Sequence, residues 1–293
     1  MFYVFHYVNK SYRKEEHIMK SSKWTEQEIK FLLNNYKDMD NKELSEKLGR
    51  SKSAVINKLH QQGIKRECKY NYNKDYFEII DTYDKAYWLG FIYADGCVIV
   101  NKEKRNREFC IKLQKEDDEH LRKLNKCLDG NVPVTYQKRQ TFVKYGYDKY
   151  YECCMIRFYN KKMILDLMDK GVIQSKTYDL KLPDLDNDEL LWCFIRGFMD
   201  GDGHICLPNN TGYGYRVGFT CFCKDFLESL QSFFKKYGID SYINLDKKDG
   251  HIYKLEIRNK QSLKIYLDNC YKNGDMYLDR KFKRYKTLYK LLH

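Results

Sequence analysis

The 293-residue chain carries 54 Lys and Arg against 41 Asp and Glu, a formal net charge of +13. Its mean hydropathy is −0.75, and no run of about 18 apolar residues is present to span a bilayer, which argues against a membrane partner and for a soluble chain of the cytoplasm or of whichever compartment holds its target. So basic a balance points to a polyanionic partner, most often nucleic acid.

Residues 1–20 show no clear period and no small-residue cleavage site, and they read as an N-terminal extension, with Met19 a possible natural start. Residues 21–66 read as three short helices. Thr25 with Glu28 three positions on forms a capping box, and Ile29, Leu32, Leu33 and Tyr36 follow at helical spacing. Leu44 and Leu48 face inward from a second helix that Gly49 ends. Ser51 or Ser53 caps a third, whose Ala54, Val55 and Leu59 oppose Lys52, Asn57, Lys58, His60 and Gln61. Residues 67–75, rich in Lys, Asn and Tyr, read as a linker.

Two stretches then share one design: AYWLGFIYADGCV at 86–98 and WCFIRGFMDGDGHI at 192–205, with Asp202 standing 107 residues after Asp95. The flanking segments repeat as well, dividing the chain into halves at 76–180 and 181–293. Strand-like alternation at 107–114 matches that at 215–223, helix patterns at 116–128 match 224–238, and 151–168 matches 253–268. In the last pair an Ile-Arg dipeptide, Ile156-Arg157 and Ile257-Arg258, precedes an Asn-Lys helix start. Each half therefore reads α-β-β-α-β-β-α. Of the 11 cysteines, the close pairs Cys153-Cys154 and Cys221-x-Cys223 suit neither zinc nor a disulfide framework, and Cys97, Cys110, Cys193 and Cys221 read as small hydrophobes.

Small residues four apart, Gly90 and Ala94 in one motif and Gly197 and Gly201 in the other, lie on one helix face and let the two helices pack closely. Asp95 and Asp202 then become neighbours at the negative ends of two helices, where they repel unless a cation lies between them. Gly96 and Gly203 occupy the position where a left-handed residue commonly ends a helix.

WLGFIYADG and IRGFMDGDG resemble the two motifs of single-chain LAGLIDADG homing endonucleases. The resemblance implies an α+β fold of two pseudo-symmetric αββαββα halves whose antiparallel sheets form a saddle over double-stranded DNA. It implies metal binding by Asp95 and Asp202, with the carbonyls of Ala94 and Gly201 as additional ligands; the Tyr93/Asp200 position, where the motifs differ, packs or lies beside the site. Hard oxygen ligands suit Mg²⁺, with Mn²⁺ substituting and Ca²⁺ binding without efficient cleavage. Lys176, 81 residues after the first acid, and Lys281, 79 after the second, lie in QSKTYDL and LDRKFKR, which resemble the family's segments with a basic active-site residue. By alternation along the strands, Lys112 and Gln114 face the DNA in the first half, and Arg216, Thr220, Lys254 and Arg258 in the second, with Arg139 in a basic loop extending the contact. Residues 21–66 resemble Myb/SANT-like helix-turn-helix modules through Trp24, LSEKLGRS and AVINKLHQQGI, whose third helix, with Lys52, Asn57 and Lys58, enters a major groove.

The function this implies is a monomeric, site-specific endonuclease that cuts both strands of a long asymmetric target, leaves 3′ overhangs and promotes copying of its own gene. The alternatives are an RNA maturase acting on host intron RNA and a cleavage-dead DNA-binding regulator. The ending KLLH lacks a splicing-type His-Asn, favouring an intron-encoded or free-standing gene over an intein.

Overall fold

The computed structural model describes residues 23–64, 70–101, 106–142, 148–173, 179–208, 214–246 and 250–293. They belong to two units, Met1–Lys69 and Tyr70–His293, each with a core of its own. None of the described helices is long and apolar enough to cross a membrane.

The first unit holds helices α1 (Glu26–Asn35), α2 (Asn41–Leu48) and α3 (Lys52–Gln61). Both α1 and α2 begin with a capping box, Thr25 with Glu28 and Asp40 with Glu43; Gly49 ends α2 in the left-handed conformation at φ 59°, and Ser51 caps α3. Leu32, Leu44, Leu48, Val55 and Leu59 form the core, with Trp24, Tyr36 and Ile64 against it. Buried Arg50 ties α1 to the α2–α3 turn by an ion pair to Glu28 at 2.8 Å and by lying over the Trp24 ring at 4.5 Å. Of the polar α3 residues expected to face outward, Lys52 and Asn57 are exposed. Lys58 is half-buried, with its ammonium 5.6 Å from the Trp24 ring.

The second unit repeats one pattern twice. Helix α4 (Tyr83–Asp95) leads into strands β1 (Gly96–Asn101) and β2 (Asn106–Gln114), helix α5 (Asp118–Cys127), strands β3 (Thr135–Phe142) and β4 (Asp148–Phe158), and helix α6 (Lys161–Asp169). Helix α7 (Asp188–Asp202) opens the second half, with β5 (Gly203–Cys206), β6 (Arg216–Cys221), α8 (Lys224–Lys236), β7 (Tyr242–Leu245), β8 (Tyr253–Ile257) and α9 (Lys260–Cys270); a further helix, α10 (Asp279–Leu292), follows. The two antiparallel sheets have matching orders, β1-β2-β4-β3 and β5-β6-β8-β7. Phe109, Ile111 and Leu113 of β2, and Val217 and Phe219 of β6, point into one core that runs through both halves. Alternate residues form the opposite face of each sheet.

Helices α4 and α7 meet at their glycines. A Cβ on Gly90 would lie 1.9 Å from the carbonyl oxygen of Phe194, and one on Gly197 would lie 1.9 Å from that of Tyr87. Tyr87 and Gly90 are each 107 positions before Phe194 and Gly197, so the contact is reciprocal and self-complementary. Towards the acidic ends a Cβ on Gly201 would stand 2.2 Å from that of Ala94. The stripe of small residues thus brings two backbones together, as the four-residue spacing predicts.

Several sequence expectations change. Gly96 and Gly203 are not left-handed: they are extended at φ −77° and −87°, because each helix passes directly into a strand. Glycine is needed there because a side chain would strike the preceding turn, at the Ile92 carbonyl oxygen or the Met199 sulfur, 2.6 and 2.0 Å from the added carbon. The two Ile-Arg dipeptides are not equivalent either. With Gly96 opposite Ile111 and Gly203 opposite Phe219, Ile156 corresponds to Leu255 and Phe158 to Ile257, and the caps Asn160 and Asn259 agree. Residues 70–75 belong to the second unit: the Asn73 N–H donates to Leu128 O at 2.7 Å, and Tyr72 packs edge-on to Phe158 at 5.0 Å. Cys97, read as a small hydrophobe of an apolar run, is exposed, and every described cysteine is a free thiol.

Gly90→Ala and Gly197→Ala should each lower stability by about 3 kcal/mol or more, because the added methyl meets backbone that cannot turn aside. Gly214→Ala, with nothing within 4 Å and no positive φ, should change it by less than about 0.5 kcal/mol. Urea midpoints for the three variants provide the comparison; equal shifts would mean that the helix contact is not tight.

Candidate active site at the paired helix ends

Helices α4 and α7 end side by side at Asp95 and Asp202. Asp95 is half-buried and Asp202 exposed. The Asp95 carboxylate comes to 3.2 Å from the position of a Cβ on Gly201, so any side chain at Gly201 would crowd it. A cleft beside Asp95 is lined by Lys112, Gln114, Asp117, Tyr151, Gly201 and Arg280. Two of the residues expected on the DNA-facing surface of the first half therefore sit next to the first acid.

Lys281, in the first turn of α10, is buried at 6% exposure and donates to the carbonyl oxygens of Met199, at 3.1 Å, and Gly203. Its ammonium thus occupies the negative end of α7. Burial lowers its pKa to about 8, while the charges of Asp200, Asp95 and Asp202 act to raise it. Part of the cation that two neighbouring carboxylates require is thereby supplied by the chain itself. Its expected counterpart, Lys176, lies outside the described residues.

A scaffold of buried polar groups aims α10. Asp200 accepts from the Tyr87 hydroxyl and from the Leu278 N–H just before α10, both at 2.7 Å. Arg196, fully buried, donates to the carbonyls of Cys270 at 3.2 Å and Asn273 at 2.7 Å, fixing the chain between α9 and α10. The Arg280 guanidinium bridges to buried Asp117 of the first half at 2.9 Å. Asp200, where the sequence left packing or a place beside the site open, is fully buried; Tyr93, its counterpart, donates to the Lys170 carbonyl at 2.5 Å.

Sequence reasoning missed Arg280, Asp117 and Arg196. Arg280 adjoins Lys281 in LDRKFKR, which is a usable signal; Asp117 and Arg196 become partners only through the fold. Around the other expected residues, Lys112 is half-buried and Gln114 exposed, Arg216 and Thr220 alternate with buried Val217 and Phe219, and Arg258 is exposed. Lys254 pairs with Asp246 at 2.5 Å. Arg139, expected in a loop, instead belongs to strand β3, opposite Tyr151 of β4, because the alternating pairing extends to Phe142; its side chain is outside the described residues.

The donor set fits a hard divalent cation. Among the described residues no group of three or more His, Cys, Asp and Glu side chains is placed to hold a metal. An ion here would rely on the two carboxylates, backbone carbonyls and oxygens of water or a phosphate, the ligand set that Mg²⁺ prefers.

Two stacked αββαββα halves with an acid at the end of each central helix define the two-motif class of this architecture. Residues 82–170 and 189–271 each match the LAGLIDADG-like domain, and the chain belongs to that family. Among solved structures it is similar to the I-SmaMI LAGLIDADG homing endonuclease bound to cleaved DNA, at 14% identity over 71% of this chain and 88% of that one, with a TM-score of 0.46. It is also similar to the LAGLIDADG meganuclease I-AabMI bound to uncleaved DNA, at 13% identity over 70% and 90%, TM-score 0.44. The N-terminal LAGLIDADG domain of DUF199/WhiA matches at 18% identity over 71% and 87%, TM-score 0.40. A comparison with curated proteins finds no match.

Burial raises the Asp200 pKa to about 6, with the Leu278 N–H and Tyr87 hydroxyl acting to lower it. The stability linked to this group is therefore present below about pH 4, the unfolded value, and lost as pH rises through about 6. Asp200→Asn keeps an acceptor oxygen and removes the charge. It should stabilise the protein at pH 7.5 in EDTA by about 1–3 kcal/mol, with the gain vanishing near pH 4. Urea midpoints across this range measure it, and a gain that does not change with pH would refute the assignment of charge burial.

Proposed function

We propose that this chain is a site-specific, metal-dependent endonuclease that hydrolyses both strands of a long DNA target. The observation that carries this reading is the convergence of Asp95 and Asp202 at one end of a glycine-packed helix pair, with the buried Lys281 ammonium at the same end. Each half contributes one acid, which suits one cut per strand. The uncovered faces of the two sheets, bearing Lys112, Gln114, Arg216, Thr220, Lys254 and Arg258, supply the groups that position and read a duplex.

Asp95 and Asp202, with the carbonyls of Ala94 and Gly201, hold Mg²⁺, for which Mn²⁺ substitutes. The bound ion supplies Lewis-acid polarisation of the phosphate. The protein's own groups do the rest. Lys281 Nζ retains its proton on the α7 carbonyls and places positive charge beside the phosphate, where negative charge grows during hydrolysis. Arg280, held by Asp117, and Lys112 flank the same cleft, and Gln114 adds a neutral donor. Lys176 is assigned the corresponding role in the first half. Cleavage leaves 3′ overhangs, and the break promotes copying of the gene that encodes the enzyme.

Asp95→Asn or Asp202→Asn should abolish double-strand cleavage of a supercoiled target plasmid in Mg²⁺ while leaving binding in Ca²⁺ largely intact; each single variant can still nick. Normal linearisation by both would rule out the site. Lys281→Met should slow single-turnover cleavage by about 100-fold with a much smaller loss of gel-shift affinity. Equal losses in rate and affinity would move Lys281 out of the active site.

The first unit is proposed to be a Myb/SANT-like tethered reader. Its exposed Lys52 and Asn57 on α3 and its separate core support a second binding event at high effective concentration. A chain of residues 70–293, which keeps the hydrogen bonds of Asn71 and Asn73 to the first half, should cut the same bonds. Its affinity should fall, and its salt dependence should become shallower by about one unit of slope for each phosphate that the first unit neutralises. An unchanged footprint and salt slope would point instead to a protein partner for this unit.

A further inference from the structure

The outer face of the first sheet carries two thiols that the proposed chemistry does not use. Cys97 of β1 stands directly opposite Cys110 of β2. Val98 beside Cys97, and Phe109 and Ile111 on either side of Cys110, point into the core, so both thiols lie on the uncovered face. Among the described cysteines Cys97 is the only exposed one, and Cys110 is half-buried. Burial, and after it the neighbouring Cys97 with which it shares a hydrogen bond, push the Cys110 thiol up to about 12. Residues directly opposite in an antiparallel pair have Cα atoms about 4.5 or about 5.5 Å apart, and a disulfide spans about 4.4–6.8 Å. The backbone therefore already holds the two sulfurs for bonding. The other described strand cysteines, Cys153, Cys154, Cys206 and Cys221, all stand opposite residues of other types.

The pair is next to the candidate active site. Cys97 follows Asp95 by two residues, on a strand that begins at Gly96 with no loop between, and Lys112, two residues beyond Cys110 on the same face, lines the cleft beside Asp95. Linking the sulfurs would draw the Cβ atoms from the about 4.5–5.5 Å of an unlinked pair to about 3.8 Å, so the start of β1 moves and Asp95 moves with it. The second half has no equivalent thiols. With Gly203 in the place of Gly96, His204 and Gly218 occupy the two positions, again opposite each other. There the His204 ring fills the space a side chain at 218 would need, 2.4 Å from an added Cβ.

We propose that Cys97 and Cys110 form a reversible oxidation site for hydroperoxides and, resting on the endonuclease reading above, that closing their disulfide slows the cutting of one strand and turns the enzyme towards nicking. A hydroperoxide oxidises the exposed Cys97 thiol to a sulfenic acid: an S–O bond forms, the O–O bond breaks, and the other oxygen leaves as water or an alcohol. The Cys110 sulfur then attacks the Cys97 sulfur, the S–O bond breaks, and the hydroxyl leaves as water with the Cys110 proton. Two thiols lose two electrons to one peroxide. Cys110 thereby also diverts Cys97 from the irreversible sulfonic acid, and a thiol reductant restores both.

The test treats the folded, reduced full chain with hydrogen peroxide, blocks the remaining thiols and maps tryptic peptides. Residues 86–102, with Cys97, should be joined to residues 108–112, with Cys110, and dithiothreitol should separate them. Cys110→Ser should instead leave a sulfenic acid on Cys97 that dimedone captures, while cutting at the wild-type rate when reduced. On a supercoiled target plasmid in Mg²⁺ the linked chain should accumulate nicked circles, with linearisation slowed by about 10-fold or more and restored by dithiothreitol; linearisation by Cys97→Ser should not respond to peroxide. Peroxide treatment that leaves Cys97 and Cys110 unlinked, or a linked chain that linearises at the reduced rate, would overturn this inference and leave the endonuclease reading standing. A reduced chain that cuts no DNA from a randomised library would overturn that reading, and the effect on cutting with it, while the joined peptides would still decide the oxidation site.

Discussion

The reciprocal contact of Gly90 with the Phe194 carbonyl, and of Gly197 with the Tyr87 carbonyl, sets the geometry of everything else in the second unit. Two helices whose backbones touch have little room to shift or turn against each other, so the directions of the strands that follow them are constrained as well. Because Gly96 and Gly203 carry the chain from helix to strand without a loop, the error between helix axis and sheet face is small. The pair of acids is therefore a by-product of packing: the contact that holds the halves together also determines where the carboxylates meet.

That meeting place is electrostatically costly. Asp95, Asp202 and two helix C-termini concentrate negative character, and the fold answers with Lys281 at the end of α7. Arg196 does the same at the end of α9, on the carbonyls of Cys270 and Asn273. Burying Lys281 lowers its pKa to about 8, and burying Asp200 raises its own to about 6. Both shifts mark desolvated charges, whose cost an apolar filling of the same space would avoid. The polar scaffold has a second role in attaching α10, a helix beyond the repeated pattern, firmly enough to aim its first turn.

Much of this is legible in the sequence because it depends on period. Small residues four apart specify the helix pair, and two-residue alternation separates Phe109, Ile111 and Leu113 from Lys112 and Gln114. Long-range partners carry no such period. Nothing in the sequence around Asp117 points to Arg280, because the bridge forms only after α10 has returned to the first half. Charge alone places Lys58 outward, whereas its ammonium lies over the Trp24 ring. The glycines after the acids stand out in the sequence, but for the wrong reason: a collision with the preceding turn and a left-handed backbone both demand glycine, and only the dihedral angle separates them.

The misplaced Ile-Arg dipeptides carry a consequence for how such repeats diverge. In a strand, a slip by two residues returns every side chain to its own face, so a deletion and a compensating insertion two residues long can pass without disturbing the core. A slip by one would turn the apolar set outward and be eliminated. Drift along these strands is thus quantised in pairs, and two copies can retain the same dipeptide while presenting it two residues apart along equivalent strands.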